Sequence, residues 1–490
     1  MTQSRLTSVS SVTSKTQIPQ YDVSHHKVGI IHIGIGAFHR SHQAVYTDDA
    51  LAKTGGNWRI LGVSMRSKKS ADALNPQNGL YCLVERSSHG DHVRVIGSIE
   101  KVLTLSEERE AVFAALGSPE VKIVSLTVTE KAYCLDRQNG GININDPIIA
   151  QDLRNPKQPE SVVGLLCEGL RLRKEKGVAP FTVLSCDNLP ANGYQVKLAV
   201  VSYSKRISLD LSKWIDENVM FPCTMVDRIT PASNTNTYED VAQLIGVNDL
   251  GAVETEVFKQ WVIEDRFPSG RPNWDAGGAM FVNDVAPYEL MKLRMLNGSH
   301  SLIAYLGVLL GHTFVRDVMN QPMLKKLVKR HLLAAMKTLN PLAEIDFIRY
   351  AEELIERFSD PSLAHKTKQI AMDGTEKIPQ RIIEPAVHAL NNKQDFRTYA
   401  FTIALWMRYT LEYSDNRSTY TVEDPRIEKI RLALKNIEKK GEVISLTLHG
   451  LDSMFPDALL QNKEWMSTVA EILSAMLEKG VEQIVNEEFF

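Results

Sequence analysis

Cysteine is scarce in this chain. There are five in 490 residues, at 82, 134, 167, 186 and 223, odd in number and with no C-x-x-C pair. That pattern argues against a disulfide framework and against a structural zinc site, and it fits a reducing, cytoplasmic setting. No metal site is expected. Long apolar runs are also missing: the longest, Leu302 to Leu310, is too short to span a bilayer and is interrupted by Tyr305 and Gly307. A surplus of positive charge is absent too. The formal net charge is −3, so neither nucleic acid nor an anionic membrane is expected as a partner. Residues 1–18 are rich in Ser, Thr and Gln and lack an apolar core. They read as a mobile tail rather than a secretory signal. No long Pro/Gly linker, internal repeat or later low-complexity tract divides the chain.

What is present is a hydrophobic content of 43% and a charged content of 23%, the balance of a globular protein too long for one core. Val28 to Ile33 is a short apolar run ended by Gly34-Ile35-Gly36, and a helical pattern follows from Arg40 to Leu51. Strand, glycine-rich turn and helix open a dinucleotide-binding unit, in which bare backbone N–H groups approach a pyrophosphate. The third glycine of G-x-G-x-x-G is replaced by His39. Trp58 to Met65 reads as the second strand, and Arg66-Ser67-Lys68-Lys69 follows it. An NAD enzyme usually places an acid there for the ribose 2′-OH. Cations at this point favour a 2′-phosphate, or else are ordinary exposed side chains opening a helix.

Further strands are expected at Val121 to Val128, Phe181 to Ser185, Trp261 to Asp265 and Phe281 to Val285, with a hairpin of Leu80–Glu85 and His92–Ile96. Beyond Ala286 nearly every segment has helical period. The expected fold class is therefore α/β. A Rossmann-type domain over residues 19–285 precedes a mainly α-helical domain over residues 286–490. Tyr288 to His300 reads as the start of a helix, with Pro287 in its first turn. At α-helical spacing Glu289, Lys292, Asn297 and His300 share an arc of roughly 140°. An amine, an amide, an imidazole and a carboxylate on one face suit proton transfer at a hydroxyl. A solvated face with a Glu–Lys pair accounts for the same spacing.

Lys292-x4-Asn297-x2-His300 resembles the signature of the polyol-specific long-chain dehydrogenases, the family of mannitol 2-dehydrogenase and D-mannonate oxidoreductase (fructuronate reductase). The resemblance runs from about Val28 to the end. It implies that Gly34, Gly36, Phe38 and Arg40 form the family's G-x-G-x-F-x-R-x-H cofactor segment. It also implies that Thr127, Thr129 and Glu130 line the nicotinamide, and that Asn188 and Asp227 are active-site groups. In the loop Gln369 to Arg381, Gln369 stands where mannitol 2-dehydrogenases have arginine, Lys377 matches a family lysine, and the wording is closer to the mannonate branch. Lys377 or Arg381 would meet a substrate carboxylate.

The expected activity is metal-independent hydride transfer between NAD or NADP and a secondary alcohol of a small sugar acid or polyol. Arg66, Lys68 and Lys69 favour appreciable use of NADP. Lys292 would be the general base, its pKa lowered by burial; Asn188 and Asn297 would hold the alkoxide, His300 would orient the hydroxyl, and Glu289 would relay the proton. Fructuronate/mannonate leads over mannitol/fructose, and a nucleotide-binding sensor without catalysis is the alternative outside enzymes. The sequence leaves the oligomeric state open, and a monomer is compatible with it.

Overall fold

The computed structural model describes residues 4–136, 140–362, 364–452 and 454–488. The chain forms two compact units, Met1–Ala286 and Pro287–Phe490.

The first unit carries eleven named strands: β1 (Val28–Ile33), β2 (Arg59–Ser64), β3 (Tyr81–Arg86), β4 (His92–Ile96), β5 (Ile99–Thr104), β6 (Ile123–Leu126), β7 (Thr182–Ser185), β8 (Thr224–Asp227), β9 (Val253–Glu256), β10 (Gln260–Glu264) and β11 (Met280–Val282). A five-stranded parallel sheet has the order β5-β2-β1-β6-β7. Its strands are buried on both faces, so they read as nearly continuous apolar runs. Ile31 and Ile33 enter one core with Val124 and Leu126; Ile30 enters the other with Ile60 and Ile123. The chain steps from β1 to β2 on one side and reaches β6 on the other, so the carboxyl ends of β1 and β6 form the topological switch point.

Two smaller sheets flank this one in the unit, β11-β10-β8 and β4-β3-β9. The expected hairpin is β3 and β4, paired antiparallel from Tyr81–Ile96 to Glu85–His92. The helix expected from Ser161 begins where Ser161 Oγ accepts from Gly164 N, and ends at Lys176 against a left-handed Gly177.

Residues 4–18 are not a free tail. Leu6 is fully buried and packs in a cluster with Leu80, Val84, Val241 and Ile245, with Val9 and Val12 against it. Leu6 N donates to Asn248 O at 2.9 Å, and Arg5 Nε donates to Gln77 Oε1 at 3.0 Å. Three apolar side chains spaced three residues apart anchor an otherwise polar segment, a signal too sparse to register as a pattern.

The second unit is built of helices and turns. It opens with the α-helix Ala286–Met291, continues as a π-helical stretch Lys292–Asn297, and returns to α-helix over Gly298–Leu310. The expected uninterrupted α-helix is thus corrected at the residues of most interest. π-helical turns are rare and concentrate at functional sites. Gly298 follows this stretch directly. A Cβ there would lie 2.9 Å from His331 Nε2 and 3.1 Å from the Arg381 carbonyl oxygen, so only glycine lets the neighbouring elements come this close. The expected loop Gln369–Arg381 is also mostly helical, as Thr367–Ala371, Gly374–Ile378 and a second π-helical stretch Pro379–Ile383. Asp373 breaks the first two apart in a left-handed conformation, φ 56°. Among the described residues no helix is long and apolar enough to cross a membrane.

Candidate active site

In the first unit the residues gather at the switch point. Gly34 has φ +95°, and a Cβ on it would lie 2.1 Å from the Thr127 carbonyl oxygen. Packing of β1 against the end of β6 therefore demands glycine there. Gly36 is different: its φ is −84°, and a Cβ would meet nothing nearer than Gly34 O at 3.9 Å. Among the described residues nothing requires Gly36 to lack a side chain, and the space beside it suits close approach by a pyrophosphate. The turn therefore fits a dinucleotide. Thr127 Oγ1 donates to Gly34 O at 2.7 Å, and His32 bonds Ser125 Oγ and Thr127 Oγ1, both at 2.8 Å. Burial pushes the His32 imidazole down to about 3, so it stays neutral.

His39 occupies the place of the third fingerprint glycine by stacking on His32, ring centroids 3.4 Å apart. Close helix-to-strand approach is reached here with two flat rings. Arg40 is 8% exposed, donates to Ile35 O at 3.1 Å, and accepts at its own carbonyl from Tyr81 Oη at 2.5 Å. It braces the glycine turn from behind. Phe38 stacks on His42 at 5.0 Å.

After β2, the cluster of cations is less free than its composition suggests. Lys68 Nζ pairs with Glu107 Oε1 at 2.5 Å, and this hydrogen bond raises the amine's pKa. Arg66 and Lys69 are exposed. Ser70 Oγ donates to Ile35 O at 3.1 Å and ties this segment to the glycine turn.

Asp187 was not among the expected residues, yet it holds the β6 end together. Its carboxylate accepts from Val128 N at 3.0 Å, Thr129 N at 2.9 Å and Tyr133 Oη at 2.5 Å. Thr129 is thereby kept at φ +75°, a conformation unusual for threonine, and Glu130 follows at the exposed edge. Burial raises the Asp187 pKa, against those three donors. Its neighbour Asn188 is exposed just past the end of β7. Asp227 ends β8 and is 5% exposed. Arg228 beside it bonds elsewhere, to Glu85, Ser41 O and Glu256 O. It ties β8 to the sheet of β3 and β9.

In the second unit Lys292, Asn297 and His300 are 8%, 6% and 6% exposed. Asn297 Nδ2 and His300 Nε2 are buried without a hydrogen-bond partner among the described residues. Such groups are uncommon in folded proteins and mark places where a ligand would complete the bonding. The His300 ring lies between Phe358 (centroids 4.6 Å) and His365 (5.3 Å, edge-on). Burial first, and then the charges of His365, Arg357, Arg381 and Lys292, holds its pKa well below the usual value. His300 is therefore a neutral imidazole at working pH. Glu289 is half-buried on the preceding α-helical turn.

Arg381 reaches this group: Nη1 donates toward Asn297 O at 3.5 Å and Ser301 Oγ at 3.4 Å. Lys377 does not. Its amine donates to Met372 O at 2.6 Å and sits 3.9 Å from Asp373. Gln369 is exposed. Two histidines escaped sequence reading, His331 behind Gly298 and His365 beside His300, because only their neighbours in space single them out. Among the described residues no three His, Cys, Asp or Glu side chains stand together to hold a metal ion.

Residues 28–276 match the mannitol dehydrogenase Rossmann domain and residues 284–477 the mannitol dehydrogenase C-terminal domain. The chain is 41% identical over 472 residues to D-mannonate oxidoreductase of Escherichia coli, covering 95% of this chain and 97% of the relative. It is 36% identical over 477 residues to mannitol 2-dehydrogenase of Aspergillus terreus, covering 95% and 94%. The solved ternary complex of Pseudomonas fluorescens mannitol 2-dehydrogenase with NAD and D-mannitol superposes with a TM-score of 0.86 at 34% identity, covering 100% of this chain and 99% of that one. The two-domain fold agrees with these likenesses, and the chain belongs to the mannitol dehydrogenase family of oxidoreductases.

Proposed function

We propose that this enzyme interconverts a keto sugar acid and its aldonate, fructuronate and mannonate, using NAD or NADP. The observation that carries the reaction is the buried Lys292 on a π-helical segment, with Asn297 Nδ2 at the end of that segment and His300 Nε2 on the α-helix that follows both buried without a hydrogen-bond partner among the described residues. A bound nicotinamide would accept or supply the hydride. Gly34 and Gly36, after β1, would admit its pyrophosphate, with Thr127, Thr129 and Glu130 after the neighbouring strand β6. Lys292 takes the hydroxyl proton during alcohol oxidation and returns it during ketone reduction. Asn297 and Asn188 donate amide N–H bonds to the oxygen as it becomes an alkoxide. His300, neutral, orients the hydroxyl through Nε2. Glu289, one turn earlier, passes the proton toward solvent, and Asp227 orients the site.

Two observations support a carboxylate-bearing substrate. The Arg381 guanidinium stands beside Asn297 and Ser301, and the identity to D-mannonate oxidoreductase, 41%, is higher than the 36% to mannitol 2-dehydrogenase. Mannitol–fructose interconversion is the second reading, supported by the likeness to the D-mannitol complex. A panel of fructuronate, tagaturonate and fructose, followed by NADH and NADPH consumption, decides between them. Fructuronate should have the highest kcat/KM. Preference for fructose would give the second reading, and no turnover with any of the three would overturn both.

A further inference from the structure

Thr129 has a backbone conformation that threonine rarely takes, φ 75° and ψ 153°. The other described non-glycine residues with positive φ lie between 48° and 63°, the range of ordinary left-handed turns. The pair of angles at Thr129 belongs to a region that glycine essentially alone occupies, and for a β-branched residue it is a marked outlier. Such conformations persist only where the surroundings over-determine them, and they cluster at active sites and ligand clamps. Thr129 is exposed, so packing of its side chain does not impose the angle.

Hydrogen bonds impose it. Asp187 Oδ2 accepts from Val128 N and Oδ1 from Thr129 N, and Tyr133 Oη, at the far end of the same short segment, donates to Oδ2. The ladder between β6 and β7 ends at Leu126 and Ser185. Val128 and Asp187 stand two residues further on, so the carboxylate takes the place of the next rungs. The Thr129 carbonyl accepts from Ala132 N at 3.1 Å. On the other side Thr127 is pinned to the glycine turn, its hydroxyl on Gly34 O and its carbonyl in the space a Gly34 Cβ would need. Asp187 is itself fixed, since its carbonyl accepts from Leu189 N at 2.9 Å and Asn192 Nδ2 at 3.1 Å, on either side of which the chain passes through Asn188.

We infer that Asp187 is a positioning residue for hydride transfer: it holds the strained Thr129 turn and thereby sets the nicotinamide ring at a fixed place relative to Asn188. The inference rests on the reading that Thr127, Thr129 and Glu130 line the nicotinamide. Contacts to the pyrophosphate at the glycine turn, and to the adenosine after β2, hold the dinucleotide whether or not this turn is in place. Asp187 therefore governs kcat rather than cofactor affinity, because a misplacement of about 1 Å can cost on the order of 10²-fold in rate.

Asp187→Asn keeps the shape but turns one acceptor oxygen into a donor facing another donor. With the best sugar substrate of the wild type, it should lower kcat at least about tenfold, while NADH affinity by fluorescence titration stays near wild type. The kinetic isotope effect with C4-deuterated NADH should grow, since hydride transfer becomes the slow step; a partly unfolded sample would lower kcat and leave that effect unchanged. Glycine reaches the Thr129 angles at no steric cost. Asp187→Asn/Thr129→Gly should therefore recover kcat at least about threefold over Asp187→Asn. Thr129→Gly alone should raise the thermal midpoint, because the strain relieved exceeds the entropy that glycine adds to the unfolded chain. A lower midpoint, as for glycine in an unstrained loop, overturns the inference. So does an unchanged kcat or isotope effect in Asp187→Asn, or a double variant no faster than the single. Gly36→Val tests the reading underneath: nothing described crowds a Cβ there, but the side chain would take the pyrophosphate's space, so NADH affinity should collapse. Retained affinity would remove the cofactor from this turn and the inference with it. Lost affinity beside a wild-type-like Asp187→Asn would leave the cofactor reading standing and overturn the positioning role alone.

Discussion

Replacing His331 by leucine should make the protein more resistant to acid. His331 is fully buried, neither ring nitrogen has a partner among the described residues, and burial lowers its pKa from 6.5 to about 4. As pH falls below 6.5 the unfolded chain takes up the proton first, while the folded chain resists until about 4. The unfolded state then binds more protons, so stability rises with pH across this window and is lost as pH falls through it. At pH 5 the unfolded imidazole is almost wholly protonated and the folded one almost wholly neutral. At about 1.36 kcal/mol per unit, the gap costs roughly 2 kcal/mol at pH 5 relative to neutral pH. Leucine has similar volume and does not titrate. At pH 7.5 the variant should lie within about 1.5 kcal/mol of wild type. Urea unfolding at pH 7.5 and pH 5, followed by tryptophan fluorescence, reads the difference. Other buried histidines titrate in both proteins and cancel in the comparison. Equal loss of stability in wild type and variant between the two pH values would refute the assignment of His331 as a buried neutral imidazole.

Cofactor choice is tested by Lys68→Glu/Lys69→Asp, which should lower the ratio of kcat/KM for NADPH to that for NADH by about tenfold, the value of one charged bond. Because Lys68 already pairs with Glu107, most of the effect should appear in Lys69→Asp alone. An unchanged ratio, or a wild type that ignores NADPH, removes these lysines from cofactor reading. Arg381→Gln should raise KM for fructuronate about tenfold or more and alter KM for fructose much less. Equal changes with both sugars would leave Arg381 a structural role beside Asn297.

The parallel sheet was legible because its strands are buried on both faces and the Gly34-Ile35-Gly36 turn follows the first of them. The hairpin of β3 and β4 was legible from two short runs and a turn-rich connection. The N-terminal segment was not, since Leu6, Val9 and Val12 are scattered among Ser and Thr and their partners lie as far away as Ile245. Lys292, Asn297 and His300 could be singled out by residue type, but not the π-helical register that carries Lys292 and Asn297. Gly298, directly after that register, meets His331 and the Arg381 carbonyl, contacts made across 33 and 83 residues that no local pattern announces. The cation cluster after β2 was visible as composition, whereas Glu107, which takes up Lys68, belongs to the segment after β5. Asp187 shows the same limit: beside Asn188 it looks like turn chemistry, and its role emerges only when Val128, Thr129 and Tyr133 are seen around it.

In the proposed reaction Lys292 moves the proton, and replacing it by alanine tests that role. Lys292→Ala should lose about 10²–10⁴ in kcat, the usual worth of general acid–base help, while NADH affinity measured by fluorescence titration stays near wild type. Retention of a tenth of wild-type turnover, roughly 10% and far above what that loss allows, would contradict the account.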